Sequence, residues 1–278
     1  MPLVIVPTPI GNLEDMTLRG LRALKGADLI ACEDTRRTLK LLNHFNIKKP
    51  LISCHEHNET RRAEELMRHI EAGKTVALVS DAGTPGLSDP GMTVIKAAIE
   101  RGLPYDVLPG ANALLPALLM SGIGTGSFLF VGFLKGSDAE KRNRLINIKN
   151  IEDTIVFYIA PHHLIKDLEI MAEVLGDRNA ALVREISKIH QETIRGTLKD
   201  FKCGLPEEKI RGEFVCVVDG AAERAEEEDD SKWMKEADEM CGSNEPMKKV
   251  ANLLAIKYCI PRNRIKKYIL ERYTREGK

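Results

Sequence analysis

Apolar residues in the first 110 positions fall in short blocks, separated by stretches with helical spacing. Residues 3–6 (L-V-I-V), 27–32 (A-D-L-I-A-C), 51–53 (L-I-S), 75–79 (T-V-A-L-V) and 105–108 (Y-D-V-L) read as buried strands, too short to be helices. Between them, residues 17–25, 38–45, 60–72 and 92–101 read as helices, the first with Leu18, Leu21 and Leu24 on one face. Strand, loop and helix in regular succession predict a parallel sheet with helices on both faces. Beyond it the pattern changes. Residues 128–132, 154–158, 180–183 and 214–219 read as strands with one helix over 162–175, which predicts a mixed-sheet α+β domain. The fold class is α/β: an N-terminal α/β domain over residues 1–121, then a C-terminal α+β domain over 122–220 with residues 122–126 as the hinge.

Residues 221–244 read as an acidic linker or helix, and residues 245–278 as a third piece of opposite charge. The tail carries ten basic residues against three acidic ones, a net charge of +7. Two short helices, 247–258 and 262–272, flank a break at Pro261 and suggest a helix-turn-helix-like unit. Its cations, Lys248, Lys249, Arg262, Arg264 and Lys266 among them, fit a nucleic-acid backbone, or else dress an ordinary helical hairpin.

Composition narrows the class. The chain has 278 residues, 43% hydrophobic and 29% charged, with a formal net charge of zero, so a nucleic-acid partner is signalled only by where charge is placed. Six scattered cysteines without a C-x-x-C pair read as reduced thiols of a cytoplasmic protein. Residues 3–6 are too short and lack the basic start of a signal peptide. No apolar run approaches the ~20 residues of a membrane helix.

Chemistry concentrates in the loops after the strands. The densest is S-D-A-G-T-P-G-L-S-D-P-G over residues 80–91, at the carboxyl end of a strand, where open α/β sheets place their ligands. Its glycines permit close backbone approach, its prolines stiffen it, and Asp81 offers a charged acceptor; a rigid crossover loop accounts for the same composition. Neither G-x-G-x-x-G nor a Walker loop follows the first strand, which speaks against NAD or ATP in their standard folds. His55-Glu56-His57 is a weak metal signal, and no metal is expected. No nucleophile elbow is present.

Taken together, P-T-P-I-G-N-L after the first strand, A-C-E-D-T-R-R-T after the second, H-E-H-N-E, S-D-A-G-T-P-G-L-S-D-P-G and L-P-G-A-N-A resemble one family. It is the ribosomal RNA small-subunit methyltransferases that modify a cytidine ribose 2′-hydroxyl in 16S rRNA, within the tetrapyrrole methylase superfamily. The resemblance runs along nearly the whole chain, through G-F-L at Gly132, R-E-I-S-K at Arg184, G-E-F-V at Gly212 and the basic tail. It implies S-adenosylmethionine as methyl donor, 16S rRNA or the small ribosomal subunit as partner, and a homodimer. By similarity Pro9, Asp81, Ala82, Gly83, Thr84, Ala111, Asn112 and Ala113 border the donor, with Tyr158, Ile159 and Phe214 closing from the second domain. Glu33, Asp34 and Arg36 face the substrate side, with His55, Asn58, Glu185 and Lys188 as further substrate contacts.

A ribose hydroxyl attacking a sulfonium methyl gains mainly from alignment, and further from a base that takes its proton. Asp34 or Glu33 is the candidate base, ahead of Glu185 and Lys188, unless these carboxylates form structural ion pairs with Arg36 or no protein base is used. The chain departs from the family in two places. Tyr158-Ile159-Ala160-Pro161-His162-His163 stands where the family usually reads Y-E-S-P-H-R. Lys135-Gly136-Ser137 follows G-F-L in place of Pro and basic residues, with Arg142 and Arg144 nearby to restore charge. The rival readings are a precorrin-type or diphthamide-pathway methylase, and a silent RNA-binding scaffold.

Overall fold

A computed structural model describes residues 1–202, 204, 210–222, 230–242, 245–258 and 262–273. The chain forms two compact units, Met1–Ala221 and Ala222–Lys278. In the first, β1 (Leu3–Ile5), β2 (Leu29–Cys32), β3 (Leu51–Ser53), β4 (Val76–Val79) and β5 (Tyr105–Val107) make an all-parallel sheet in the order β3-β2-β4-β1-β5. Strand alternation divides its side chains. Leu3, Ile5, Leu29 and Leu78 face α3 (Glu59–Glu71) and α4 (Met92–Glu100), while Val6, Ile30, Cys32 and Val79 face α1 (Leu18–Gly26) and α2 (Thr35–His44). Burial on both faces is why these strands read as continuous apolar blocks. Every βα loop therefore emerges at one edge of the sheet.

The second sheet contains β6 (Phe128–Phe133), β7 (Thr154–Ile159), β8 (Asn179–Arg184), β9 (Glu192–Thr197) and β10 (Phe214–Val218), in the order β6-β7-β10-β8-β9. Only β6 and β7 run parallel; the other pairs are antiparallel. Three helices, α6 (Asp138–Ile148), α7 (Leu164–Leu175) and α8 (Leu198–Lys202), cover one face around Leu145, Phe157, Leu168 and Phe214. On the other face lies α5 (Leu114–Ser121), whose Leu114, Ala117 and Leu118 pack on Val156, Val183, Val215 and Val217. Arg195 of β9 donates to the carbonyls of Ser121 (3.0 Å) and Met120 at the open end of α5. The helix that follows the first sheet is thus built into the second, which fixes the carboxyl edge of one against the end of the other.

Four elements seen here, α5, α6, β9 and the short α8, have no counterpart in the sequence reading. The octet L-L-P-A-L-L-M-S of α5 is apolar all round, so it shows no helical stripe; Pro116 falls in its first turn, where no amide bond is lost. The strand β9 is a polar edge strand with no fully buried residue. The helix α6 starts from a Ser137–Glu140 capping box but has weak sidedness, although its ammonium Lys141 is buried against Asp167 at 2.6 Å.

The second unit is a three-helix cluster: α9 (Asp230–Gly242), α10 (Met247–Tyr258) and α11 (Arg262–Tyr273) close around Trp233, Ala237, Val250, Leu254, Ile265 and Ile269. Two helices were expected in the tail; α9 joins them because Trp233 and Ala237 give the acidic stretch an apolar face. Most of the acid run at 223–230 and the break at 259–261 lie outside the described residues.

Candidate active site

Two turns set the geometry at the sheet edge. After β1, Thr8 exchanges backbone hydrogen bonds with Gly83 at 2.8 Å in each direction, tying the first loop to the one after β4. Gly83 adopts φ +78°, a left-handed conformation that a side chain would strain. A Cβ on Gly110 would lie 2.7 Å from the Pro7 ring, so only glycine lets the loop after β5 close on the loop after β1. Thr84 then donates to the Ala111 carbonyl at 3.1 Å, and the Asn112 carboxamide accepts from Leu115 N at 2.9 Å to start α5. Glu59 accepts from the Gly91 and Thr93 amides at 2.6 and 3.1 Å, holding the far end of the same loop at the amino end of α4.

Between these loops and the second sheet opens a cavity of about 370 Å³. The first-sheet side presents Glu33, Arg37, residues 81–84, Ser88 and Asp89, together with Asn112 and Ala113. The opposite side presents Phe133, Tyr158, Ile159, Ile186, Phe214 and Val215, with Glu213 at its rim. Tyr158 sits edge-on to Phe130 and Phe133, at 4.9 and 5.6 Å between ring centroids. One wall is polar and acidic; the other is apolar and aromatic.

The acidic wall is electrostatically uncomfortable. Burial, and then the charges of Glu33, Asp81 and Glu213, push the Asp89 carboxyl up to about 7. Glu33 is raised as well, by burial first and the Asp81 charge second, against weaker opposing pulls from the Asp81 amide, Arg37 and His55. Burial and the Asp89 charge push the Tyr158 hydroxyl up to about 12, so it stays a neutral phenol. Asp81 accepts from Asp34 N at 3.0 Å and meets Arg37 Nη1 at 3.3 Å.

The expected site residues divide into three groups. Asp81, Ala82, Gly83, Thr84, Asn112, Ala113, Tyr158, Ile159, Phe214 and Glu33 all line the cavity. Pro9 lines a neighbouring cavity, and Ala111 contributes its carbonyl to Thr84 rather than a wall. Asp34 is outside: its carboxylate caps α2, grips the Arg36 guanidinium at 2.9 Å and is held down at about 2 by those bonds. Arg36 is correspondingly exposed and paired. His55 and Asn58 bond to each other in the turn before α3 and line neither cavity. Glu185, in a left-handed conformation at φ +51°, is bonded to Lys188 at 2.9 Å and to Glu213 N at 3.0 Å, so the pair braces the strand entering the apolar wall. Burial alone would raise Glu185, but these two bonds leave it below the usual carboxylate range. Lys248, Lys249, Arg262, Arg264 and Lys266 belong to the second unit; Lys249 pairs with Glu245 at 2.8 Å, and Lys248 and Lys266 carry no ion pair among the described residues.

Arg37, Asp89 and Glu213 were not singled out in the sequence, though each stands inside or beside a quoted motif: E-D-T-R-R, S-D-P-G and G-E-F-V. The atypical stretch after Tyr158 falls on the apolar wall, where Ile159 and Ala160 line the cavity and His162 and His163 stack outside it at 4.2 Å. At the other departure, Lys135-Gly136-Ser137, Arg142 does not restore the charge, because it is paired with Glu173. Among the described residues, no group of three His, Cys, Asp or Glu is arranged to hold a metal ion, and no helix is long and apolar enough to cross a membrane.

Residues 2–202 match the family of Tetrapyrrole (Corrin/Porphyrin) Methylases. A Bacillus subtilis protein named ribosomal RNA small subunit methyltransferase I is 46% identical over 231 residues, 83% of this chain and 79% of that one. A Thermotoga maritima protein of the same name is 42% identical over 219 residues, 78% of this chain and 98% of that one. Among solved structures, the uroporphyrin-III C-methyl transferase from Thermus thermophilus, complexed with S-adenosyl homocysteine, shares the fold with a TM-score of 0.54 at 17% identity, over 78% of this chain and 97% of that one. The chain belongs to the tetrapyrrole methylase family and, within it, to the group of ribosomal RNA small subunit methyltransferase I proteins.

Proposed function

We propose that this protein transfers a methyl group from S-adenosylmethionine to the 2′-hydroxyl of a cytidine ribose in 16S rRNA of the small ribosomal subunit. The observation that carries the reading is the two-faced cavity: carboxylates Glu33, Asp81 and Asp89 opposite an aromatic and aliphatic wall that carries Glu213 at its rim. S-adenosylmethionine fits it by chemistry. Burial first and the charges of Glu33, Asp81 and Glu213 second push the Asp89 carboxyl up to about 7, and positive charge beside these carboxylates, such as the donor's sulfonium and ammonium, would relieve their mutual repulsion. Its adenine ring matches Tyr158, Ile159, Phe214 and Val215. When bound, the donor supplies a methyl carbon on cationic sulfur, open to in-line displacement by an oxygen.

The chain's own part is to align and to accept a proton. Glu33 is the base in this reading: it lines the cavity beside Arg37, and its raised basicity brings it nearer the operating pH than an ordinary carboxylate. As the oxygen–carbon bond forms, the hydroxyl proton passes to Glu33 and the carbon–sulfur electron pair leaves on sulfur. Asp89 faces the donor's positive charge, and Asp81 is held between Asp34 N and Arg37. The apolar wall excludes water from the reacting atoms.

Lys248 and Lys266 of the second unit, which carry no ion pair among the described residues, suit phosphate contacts that add affinity without reading sequence. The same reading makes the enzyme a cytoplasmic homodimer; the exposed Leu115 and Leu119 of α5 offer apolar surface for a second copy. Labelled methyl transfer to small subunits lacking ribose methylation, followed by mapping of the label, tests the proposal. Label on a cytidine ribose is expected; label on a base, or on a small tetrapyrrole only, contradicts it.

A further inference from the structure

A second cavity, of about 240 Å³, opens on the other side of the loops after β1 and β4. Arg37 and Asp81 line both cavities, and their ion pair at 3.3 Å stands where the two meet. The second one is built differently from the first. Its floor is Thr8 and Ser80, both buried, with their hydroxyl protons already given to backbone carbonyls: Thr8 to Ser80 O at 3.1 Å, Ser80 to the carbonyls of Ala82 and Gly83 at 3.2 Å. Leu13 and Leu41 give it apolar sides. Lys40 and Arg37 give it a cationic rim, and Lys40 is exposed with no ion pair among the described residues. Arg37 spends one guanidinium nitrogen on Asp81 and keeps further donors for another acceptor.

A ligand for this cavity needs a flat body that sits between leucines and an anionic group at one end. The Thr8 and Ser80 hydroxyls have their protons committed to backbone carbonyls, so the charged donors for an anion stand at the rim. The volume is below the roughly 300–1,000 Å³ of pockets that enclose a whole small molecule, and suits one unit of a longer chain. A nucleotide of a single strand has that form: a base that can be splayed from its neighbours and packed on side chains, with a phosphodiester that a cation can hold.

We infer that this second cavity is a subsite for the nucleotide next to the methylated one, its base between Leu13 and Leu41 and its phosphate on Lys40 and Arg37. The inference rests on the RNA methyltransferase reading and deepens it. The shared Arg37–Asp81 pair then sets the register of the strand: one nucleotide is held at the cationic rim while its neighbour's ribose faces Glu33 in the acidic cavity. The two cavities divide the labour by charge, the acidic one for the cationic donor and the basic-rimmed one for the anionic strand.

Steady-state methylation of small ribosomal subunits by full-length wild type, Lys40→Ala and Lys40→Arg, with donor affinity measured separately by calorimetry, tests this. Loss of one charged contact should raise KM for subunits about tenfold in Lys40→Ala and little in Lys40→Arg, with kcat and donor affinity unchanged. The slope of log affinity for the RNA against log salt should become shallower by about 0.7, the value of one single-strand phosphate contact. Leu13→Cys, at an exposed side chain and carrying a thiol-linked photocrosslinker, should attach to the nucleotide beside the methylated cytidine. Unchanged KM and salt slope in Lys40→Ala, a change confined to kcat or donor affinity, or crosslinks only to remote RNA would each overturn the subsite while leaving the methyltransferase reading intact. A wild-type enzyme that binds donor and labels no RNA would overturn that reading and the subsite with it.

Discussion

The two walls of the main cavity are made by different means. The first sheet contributes loops: backbone turns fixed by Gly83 and Gly110, and carboxylates that emerge after β2 and β4. The second contributes strand ends: Tyr158 and Ile159 close β7, and Phe214 opens the antiparallel β10 beside them, in register with Ile159. Loops can place charge where water still reaches it, whereas strand ends place buried apolar side chains on a rigid frame. A cationic donor with an apolar ring system needs both, and α5, which starts in the first wall and packs on the second sheet, holds them together.

Four experiments would break or sharpen that contrast. The largest expected effect is at the acid wall: Glu33→Gln should lower kcat by about 100-fold or more while donor affinity stays within about twofold, read by single-turnover methylation and calorimetry. Asp89→Asn comes next. It should weaken donor binding about tenfold at pH 8, where the wild-type carboxylate is ionised, and little at pH 5.5. The apolar wall should respond to shape instead of charge. Tyr158→Ala should cost about tenfold in donor affinity with no pH dependence, while Tyr158→Phe should be almost silent, because the hydroxyl stays neutral. The smallest effect belongs to Asp34→Asn, which removes an exposed ion pair with Arg36 and should change kcat less than about twofold. A large loss there would restore Asp34 as the base.

Asp89 also links the acid wall to the stability of the ligand-free protein. Its folded value, about 7, lies above the 3.8 of an ordinary aspartate, so the native state holds its proton over a range in which the unfolded chain has lost it. Stability from this group is therefore present at low pH and is lost as pH rises from about 4 through about 7. Asp89→Asn should raise the melting temperature at pH 8 and leave it nearly unchanged at pH 4, measured by calorimetry without ligand.

Much of the first wall was legible in the sequence, because buried parallel strands and Gly-Pro loops have local signatures: residues 75–91 read as a strand and a ligand loop, and the structure has a strand there followed by a loop that lines the cavity. Which residue of a motif faces the cavity was not legible. In E-D-T-R-R the sequence offered Glu33, Asp34 and Arg36 without separating them, yet α2 starts at Thr35, so its cap and first exposed turn take Asp34 and Arg36 while Glu33 and Arg37 face the cavity. In S-D-A-G-T-P-G-L-S-D-P-G, Asp81 drew notice and Asp89 did not, although a turn with Ser88 at φ +68° brings Asp89 to the same wall. The second wall was legible as strands but not as pairing: β9 is a polar edge, and α5 has no stripe to show which sheet it would cover.

The claim that the carboxylates form a receptor for a cation is tested most directly by calorimetric titration of the full-length protein with S-adenosylmethionine and with S-adenosylhomocysteine, from pH 5.5 to 8.5. Binding positive charge beside Asp89 lowers its pKa, so the account predicts proton release below about pH 7, affinity for S-adenosylmethionine that climbs through that range, and a flatter curve for the thioether, which lacks the sulfonium. Equal affinities for both molecules, independent of pH and with no proton release, would contradict it.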